Sequence, residues 1–290
     1  MCILVDIIEN ILLGKVTVAT KPCDYQHKDI WSIRHINTLP RELLLAIFRY
    51  LSYSDLKTVV LVCKLWMSVG DEPVLWKHFK LVVAGNSNTA NIEDILSQKR
   101  FLCLEQLEYN GAGFGQGKKE LDTETVNTIK KSNVSKLVMK NCDLTKLKAE
   151  DVCLLATNLR SLSMWHIEMT KSQLHVFFTI LSHTRGLSEL DIGYSYLDLT
   201  ILSPDSFASA LARRTSVNLG FTKLTNQQLS KLFERISKRT TIRTLDVGYR
   251  DISSVDPDIL RTAVSKLSNV NICCNKLITT PYIFSNKKLN

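Results

Sequence analysis

At 290 residues the chain is long enough to bury a substantial core, and at 45% hydrophobic and 22% charged it is globular rather than disordered. Its formal charge of +9 tolerates anionic partners, but Lys and Arg come at most in adjacent pairs such as Lys118-Lys119 and Arg213-Arg214. That is the pattern of a solvated surface rather than a nucleic-acid track.

The opening stretch, MCILVDIIENILLGK, is apolar but carries Asp6, Glu9 and Asn10 and has no basic leader, so it makes a poor signal peptide. Residues 1–35 are expected to form a leader, either unstructured or a short amphipathic helix. No apolar run reaches the roughly 18 residues of a membrane span.

The next segment, LPRELLLAIFRYL at 39–51, is too apolar for an ordinary surface helix. Its apolar arc covers roughly 220° of the wheel, against the roughly 100° that one core needs. Arg41, Glu42 and Arg49 alone are left for water. The second apolar face must be covered by the first repeat downstream or by another molecule. Pro40 suits a first helical position. A second helix follows in YSDLKTVVLVCKLW, with Ser54 as its expected cap and Leu56, Val59, Val60, Cys63 and Trp66 on one face. A third begins at Pro73, with Trp76 and Phe79 inward.

This stretch resembles the F-box. The resemblance rests on Leu39-Pro40, Glu42, the Ile47-Phe48-x-x-Leu51 anchor, Val62-Cys63-Lys64, Trp66 and Leu75-Trp76. It implies an F-box at 36–80 that docks on the Skp adaptor of a cullin–RING ubiquitin ligase, which would cover the second face. Carried over by position, the adaptor-binding residues are Ile36, Leu39, Pro40, Leu43, Leu44, Ile47, Phe48 and Leu51. Val62, Trp66, Leu75 and Trp76 are expected in the core of the module.

After a connector at 81–100 the chain repeats itself. LDIGYSYL from Leu190, VNLGFTKL from Val217 and LDVGYRDI from Leu245 match closely, with weaker copies from Leu107, Leu137, Leu162 and Val270. The first and third positions are mostly apolar and the second mostly polar, the alternation of a half-buried strand. Between copies lie helical patterns such as Leu174, Phe177, Phe178, Leu181 and Leu229, Leu232, Phe233, Ile236. Ser203-Pro204 and Asp256-Pro257 supply start signals. A strand–turn–helix unit of this length cannot bury its own edge, so the units must stack, with strands in one parallel concave sheet and helices outside.

The repeats resemble leucine-rich repeats over 101–284, followed by a tail at 285–290. The Asn/Cys column of that pattern is filled by Ala112, Cys142, Ile167, Ser195, Thr222, Arg250 and Asn275, so the polar ladder at that turn is expected to fail in the middle repeats. No clear polar cap follows Val270, the expectation for a shortened array or one that ends against another molecule. The combined reading is an α/β chain, a three-helix F-box followed by a leucine-rich-repeat solenoid of about seven strand units.

On the repeats, the second, fourth and fifth columns should face the concave side or its rim. Trp165, His166, Tyr194, Phe221 and Tyr249, flanked by Asp191 and Asp246, form the candidate target-binding set. Tyr194, Phe221 and Tyr249 are expected to stack beside a floor of Gly193, Gly220 and Gly248. Such a ladder either binds a peptide or only stiffens the sheet edge, and the two acids would favour a basic segment.

Enzymatic readings find no support. In GAGFGQGKK at 111–119, Ala112 and Lys119 replace the glycine and Ser/Thr of a phosphate loop. Cys273-Cys274 has no neighbouring histidine, and His166 has no evident acidic partner. The eight cysteines form no C-x-x-C pair and the six histidines no ligand-spaced cluster, so the thiols are expected reduced and buried, with no metal and no cofactor. The expected function is a non-catalytic substrate receptor that bridges the Skp adaptor, and through it cullin and RING subunits, to a target protein. It would act in cytoplasm or nucleus, with no membrane and no nucleic-acid partner. The alternative is a leucine-rich interaction scaffold or inhibitor-like binder acting outside a ligase.

Overall fold

The structure, a computed structural model, describes residues 39–84, 92–111, 117–239, 241–248 and 252–272. The chain divides into two compact units, Met1–Leu75 and Trp76–Asn290.

The first unit carries short helices α1 (Arg41–Phe48), α2 (Tyr53–Val59) and α3 (Lys64–Gly70), and α4 (Pro73–Trp76) opens at its end. The stretch expected as one helix from Ser54 is two. Ser52, not Ser54, caps α2 by accepting from the Asp55 N–H, and the chain breaks before Cys63, the residue preceding α3. Phe48 meets Trp66 edge-on, ring centroids 5.4 Å apart, which packs α1 on α3. Arg41 is exposed as expected, and it also makes contacts within the module. Its guanidinium donates to Ser68 Oγ at 2.7 Å and pairs with Glu72, tying the start of α1 to the far end of α3.

The second unit is a parallel sheet with helices between its strands. The strands are β1 (Lys80–Ala84), β2 (Gln106–Asn110), β4 (Lys136–Lys140), β6 (Ser161–Trp165), β7 (Glu189–Asp191), β8 (Ser216–Asn218), β9 (Thr244–Asp246) and β10 (Asn269–Asn271). A small side sheet pairs β3 (Lys119–Glu120) with β5 (Cys142–Asp143). All seven expected strands are present, and the stretch read as a connector supplies an eighth, β1, together with helix α5 (Ile92–Leu96). Leu81, Leu107, Leu137, Leu162, Leu190, Val217, Leu245 and Val270 fall in one register row, and all are buried. A second buried row runs through Val83, Tyr109, Met139, Met164, Ile192, Leu219, Val247 and Ile272. These rows meet helices α6 (Thr123–Lys131), α7 (Ala149–Thr157), α8 (Lys171–His183), α9 (Pro204–Leu211), α10 (Asn226–Lys238) and α11 (Pro257–Lys266) in one continuous apolar core. Ser203 and Asp256 cap α9 and α11 as the sequence indicates.

Polar side chains inside this core tie one repeat to the next. Gln173 and Gln228 close capping boxes with Thr170 and Thr225. Each then turns its amide to two carbonyls of the preceding repeat: Leu144 and Leu147 at 2.6 and 2.7 Å, and Leu199 and Leu202 at 2.7 and 2.8 Å. Arg214, fully buried, donates to the carbonyls of Leu181, Thr184, Leu187 and Ala210, and burial lowers its pKa to about 10.

The turn after each strand corrects one expectation. Ser195 and Thr222 stand where Asn or Cys was looked for, yet their buried hydroxyls donate to the Ile192 and Leu219 carbonyls. A hydroxyl there does what the amide would, and the polar ladder is interrupted at the buried Ile167.

Candidate functional site

In the first unit α1 carries two apolar stripes one residue apart. Leu44, Phe48 and Leu51, at i, i+4 and i+7, are buried. Leu43, Ile47 and Tyr50 have the same spacing, yet Leu43 and Tyr50 are 50% and 67% exposed and Ile47 is half-buried. The carried-over set therefore splits. Pro40 and Leu43 are exposed and Leu39 and Ile47 half-buried, whereas Leu44, Phe48 and Leu51 face inward, so direct contact with another molecule is corrected for those three. Ile36 lies outside the described residues. Trp66 and Leu75 are buried in the module, as expected, whereas Trp76 is buried in the second unit, against Phe79 and Phe101, and Val62 stands exposed beside Leu61 in the turn between α2 and α3. The single-helix reading of that stretch had no way to detect the break before Cys63. Leu65, Met67 and Val74 add further exposed apolar surface.

In the second unit the strand side chains opposite the helices form a mostly polar face, with Val82 and Trp165 exposed on it. Glu108 lies between Lys80 and Lys140, at 2.9 and 2.7 Å. Burial alone would push its carboxyl up, but the hydrogen bonds and charges of the two lysines outweigh this and hold it below the usual carboxylate range. Lys140 also lies over the Trp165 ring, 5.1 Å from its centroid. The Trp165 indole N–H donates to Asp191 Oδ2 at 3.1 Å, and Asp191 Oδ1 accepts the Gly193 N–H. Asp191 is pushed above the carboxylate range by burial, with the Asp246 charge adding to it against the hydrogen bonds of Trp165 and Gly193. Asp246 accepts from the Gly248 N–H and from Asn271 Nδ2.

The aromatic ladder forms in part. Tyr194 stacks on Phe221 with ring centroids 4.4 Å apart and 28° between planes, and Trp165 stands 6.3 Å from Tyr194. Both ladder residues have left-handed backbone, φ 57° and 59°, which aromatic residues adopt at a cost of about 1–3 kcal/mol each. His166 does not join them; it sits 5.5 Å from Tyr196 instead. Tyr249 lies outside the described residues. The glycine floor has a steric cause at Gly193, where a Cβ would come 2.7 Å from Asn218 Oδ1. The Lys80–Glu108–Lys140 bridge was missed in the sequence, because only the register of three strands brings these residues together.

Burial pushes the Cys142 and Cys153 thiols up to about 12 and about 11, so both stay protonated. Cys103 is exposed, against the expectation that the thiols are buried. Among the described residues no group of three or more His, Cys, Asp or Glu is placed to hold a metal ion, and no helix is long and apolar enough to cross a membrane. Cys273-Cys274 lies outside the described residues.

Strands in register, helices between them and a polar turn ladder define a leucine-rich-repeat solenoid preceded by a small helical module. A family model described as F-box-like matches residues 36–81. F-box/LRR-repeat protein 5 of Danio rerio is 24% identical over 226 residues, covering 77% of this chain and 31% of that protein. The Salmo salar protein of the same name is 25% identical over 224 residues, covering 73% and 31%. The chain thus spans about a third of the length of the curated relatives it matches, and it is similar to F-box/leucine-rich-repeat proteins over that span. Two solved structures overlay more loosely. A Bacteroides fragilis protein has a TM-score of 0.48 at 13% identity, covering 79% of this chain and 74% of its own. InlP of Listeria monocytogenes has a TM-score of 0.40 at 12% identity, covering 77% and 57%.

Proposed function

We propose that this protein is a substrate-recognition subunit of a Skp–cullin–F-box ubiquitin ligase. The observation that carries the reading is the Leu43–Ile47–Tyr50 stripe, left uncovered on a helix whose neighbouring stripe is buried, inside a module that an F-box-like model matches. Leu39, Pro40, Leu43 and Ile47 then meet the Skp adaptor, while Leu44, Phe48 and Leu51 hold the helix in place for that contact. An amphipathic helix laid into a partner's apolar groove is a general recognition mode.

The repeats hold the target, and the aromatic step Trp165, Tyr194 and Phe221 beside Asp191 and Asp246 is the proposed grip. The outward side chains of β6 to β10 include Glu189, Asp191 and Asp246 and no lysine or arginine, which suits a cationic side chain seated on the aromatics. The chain itself forms no bond. It brings a target lysine to a ubiquitin-charged enzyme at high effective concentration, in the cytoplasm or nucleus, and so leads to the target's degradation.

Binding to purified Skp adaptor tests this, comparing wild type with Leu39→Ala/Pro40→Ala and with Leu43→Asp. Loss of binding by both variants, with thermal unfolding unchanged, is expected. Wild type that fails to bind the adaptor overturns the reading. Recovery of the adaptor without cullin from cell extract would favour the scaffold alternative.

A further inference from the structure

The two edges of the repeat sheet differ in charge. At the edge where strands end, cations meet acids: Lys118 pairs with Glu168 at 2.7 Å and Lys146 with Glu120 at 2.5 Å. At the other edge, where the chain leaves a helix and enters the next strand, the connecting residues 158–160, 184–188, 212–215 and 239–243 contain no Asp or Glu. They do contain Arg160, Arg185, Arg213, Arg239 and Arg243, all exposed. None of these five guanidinium groups is in an ion pair among the described residues.

Backbone hydrogen bonds align this edge. Arg160 N–H donates to the Ser135 carbonyl, and Ser188 to Arg160. Thr215 then donates to Ser188, and Arg243 to Thr215, each at 2.7 or 2.8 Å. Arg160 and Arg243 thus stand in one row across β6 to β9, and Arg185 and Arg213 precede that row by three and two residues. Each of four consecutive repeats presents one arginine or more.

Helix ends account for Arg239, the C-cap residue of α10, but not for the other four. Cations favour helix C-termini, but the effect fades within the last turn. Helices α7 and α9 carry no basic residue in their last turns, and Arg160 stands three residues beyond Thr157. The terminal carbonyls are already taken, those of α8 by the buried Arg214 and those of α10 by Lys266. Among the described residues, no ion pair engages these exposed arginines.

We infer that this strand-entry edge, from Arg160 to Arg243, is a docking surface for an acidic, extended segment of a partner protein. Guanidinium forks pair with carboxylates through two parallel hydrogen bonds, which favours arginine over lysine here. Neighbouring strands lie about 4.8 Å apart, and alternate side chains of an extended peptide about 6.7 Å, so a Glu- or Asp-rich run of about five to eight residues reaches all four repeats. Single-stranded nucleic acid is the poorer fit, because it needs aromatic platforms and these connecting residues contain no Phe, Tyr or Trp. The surface is distinct from the aromatic step, and acidic-peptide binding does not require the adaptor, so this inference and the receptor reading fail separately.

The test uses the full chain and a fluorescent polyglutamate peptide of about 12 residues, long enough to span the row. Arg160→Glu/Arg185→Glu/Arg243→Glu is compared with Lys148→Glu/Lys171→Glu/Lys223→Glu, which changes the net charge equally at the opposite edge. The edge variant is expected to lose tenfold or more in affinity and the control less than twofold. Arg160→Lys/Arg185→Lys/Arg243→Lys is expected to fall between. Should the triple reversal unfold, each single reversal is measured instead, with a two- to threefold loss expected. Equal losses in edge and control variants, or three single reversals without effect, overturn the inference. Tenfold tighter binding of an oligouridine at the same edge also overturns it.

Discussion

Tyr194 stacks on Phe221 across neighbouring repeats at 4.4 Å, and beside this pair the Trp165 indole holds the Asp191 carboxylate. The chain accepts two aromatics in left-handed backbone and a carboxylate raised above its ordinary range within one small patch. This local strain and raised carboxyl are consistent with the proposed target grip.

Asp191→Asn is expected to stabilise the protein at neutral pH. A carboxyl raised in the folded state favours the protonated form, so its contribution is fully present below the unfolded carboxylate pKa and is lost as pH rises through the folded value. Asparagine removes that loss, and Asn218 already fills the same position in the next repeat, accepting the Gly220 N–H. Thermal unfolding of both proteins from pH 4 to 8 should show the variant's midpoint a few degrees higher at neutral pH and its decline with rising pH flatter.

Leu43 and Leu44 are expected to separate binding from folding. Leu44→Ala removes a fully buried side chain and should cost about 2–5 kcal/mol, read by denaturant unfolding of the module. Leu43→Asp changes an exposed stripe, should leave unfolding within about 0.5 kcal/mol, and should abolish adaptor capture. Equal destabilisation by both would show that the second stripe is covered by the chain itself.

Arg214 is a structural cation. Arg214→Met removes a buried donor from four carbonyls of two repeats and should cost about 2–4 kcal/mol. Arg214→Lys keeps the charge but loses the fork, and is expected to recover less than half of that. Hydrogen exchange at 181–187 should accelerate in both.

Gln228→Glu replaces a donor of two hydrogen bonds, to Leu199 and Leu202, by a carboxylate facing the same carbonyls. The new carboxyl is pushed upward, so the variant should be most stable in acid and lose stability as pH rises, whereas Gln228→Ala should be destabilised by about 1–3 kcal/mol at every pH. Parallel pH–stability curves for the two variants would contradict this.

The repeat strands and helices were legible because their pattern is local. A buried row of Leu and Val recurs at each strand start, and the Ser203-Pro204 and Asp256-Pro257 caps depend only on neighbours in the chain. The strand at 80–84 was missed, since it stands alone before the first close copy and becomes a strand only by pairing with β2. The turn ladder was misjudged at Ser195 and Thr222 because a hydroxyl's partner cannot be known without the turn's geometry.

Periodicity and capping chemistry act over three or four residues, so the sequence by itself determined that α1 has more apolar surface than one core needs and that the repeats stack in parallel. Only the tertiary structure decided which of two equal stripes on α1 is buried, that Lys80, Glu108 and Lys140 form one bridge, and that the exposed arginines share an edge. Those outcomes depend on contacts between residues far apart in the chain, which packing creates and local pattern does not encode.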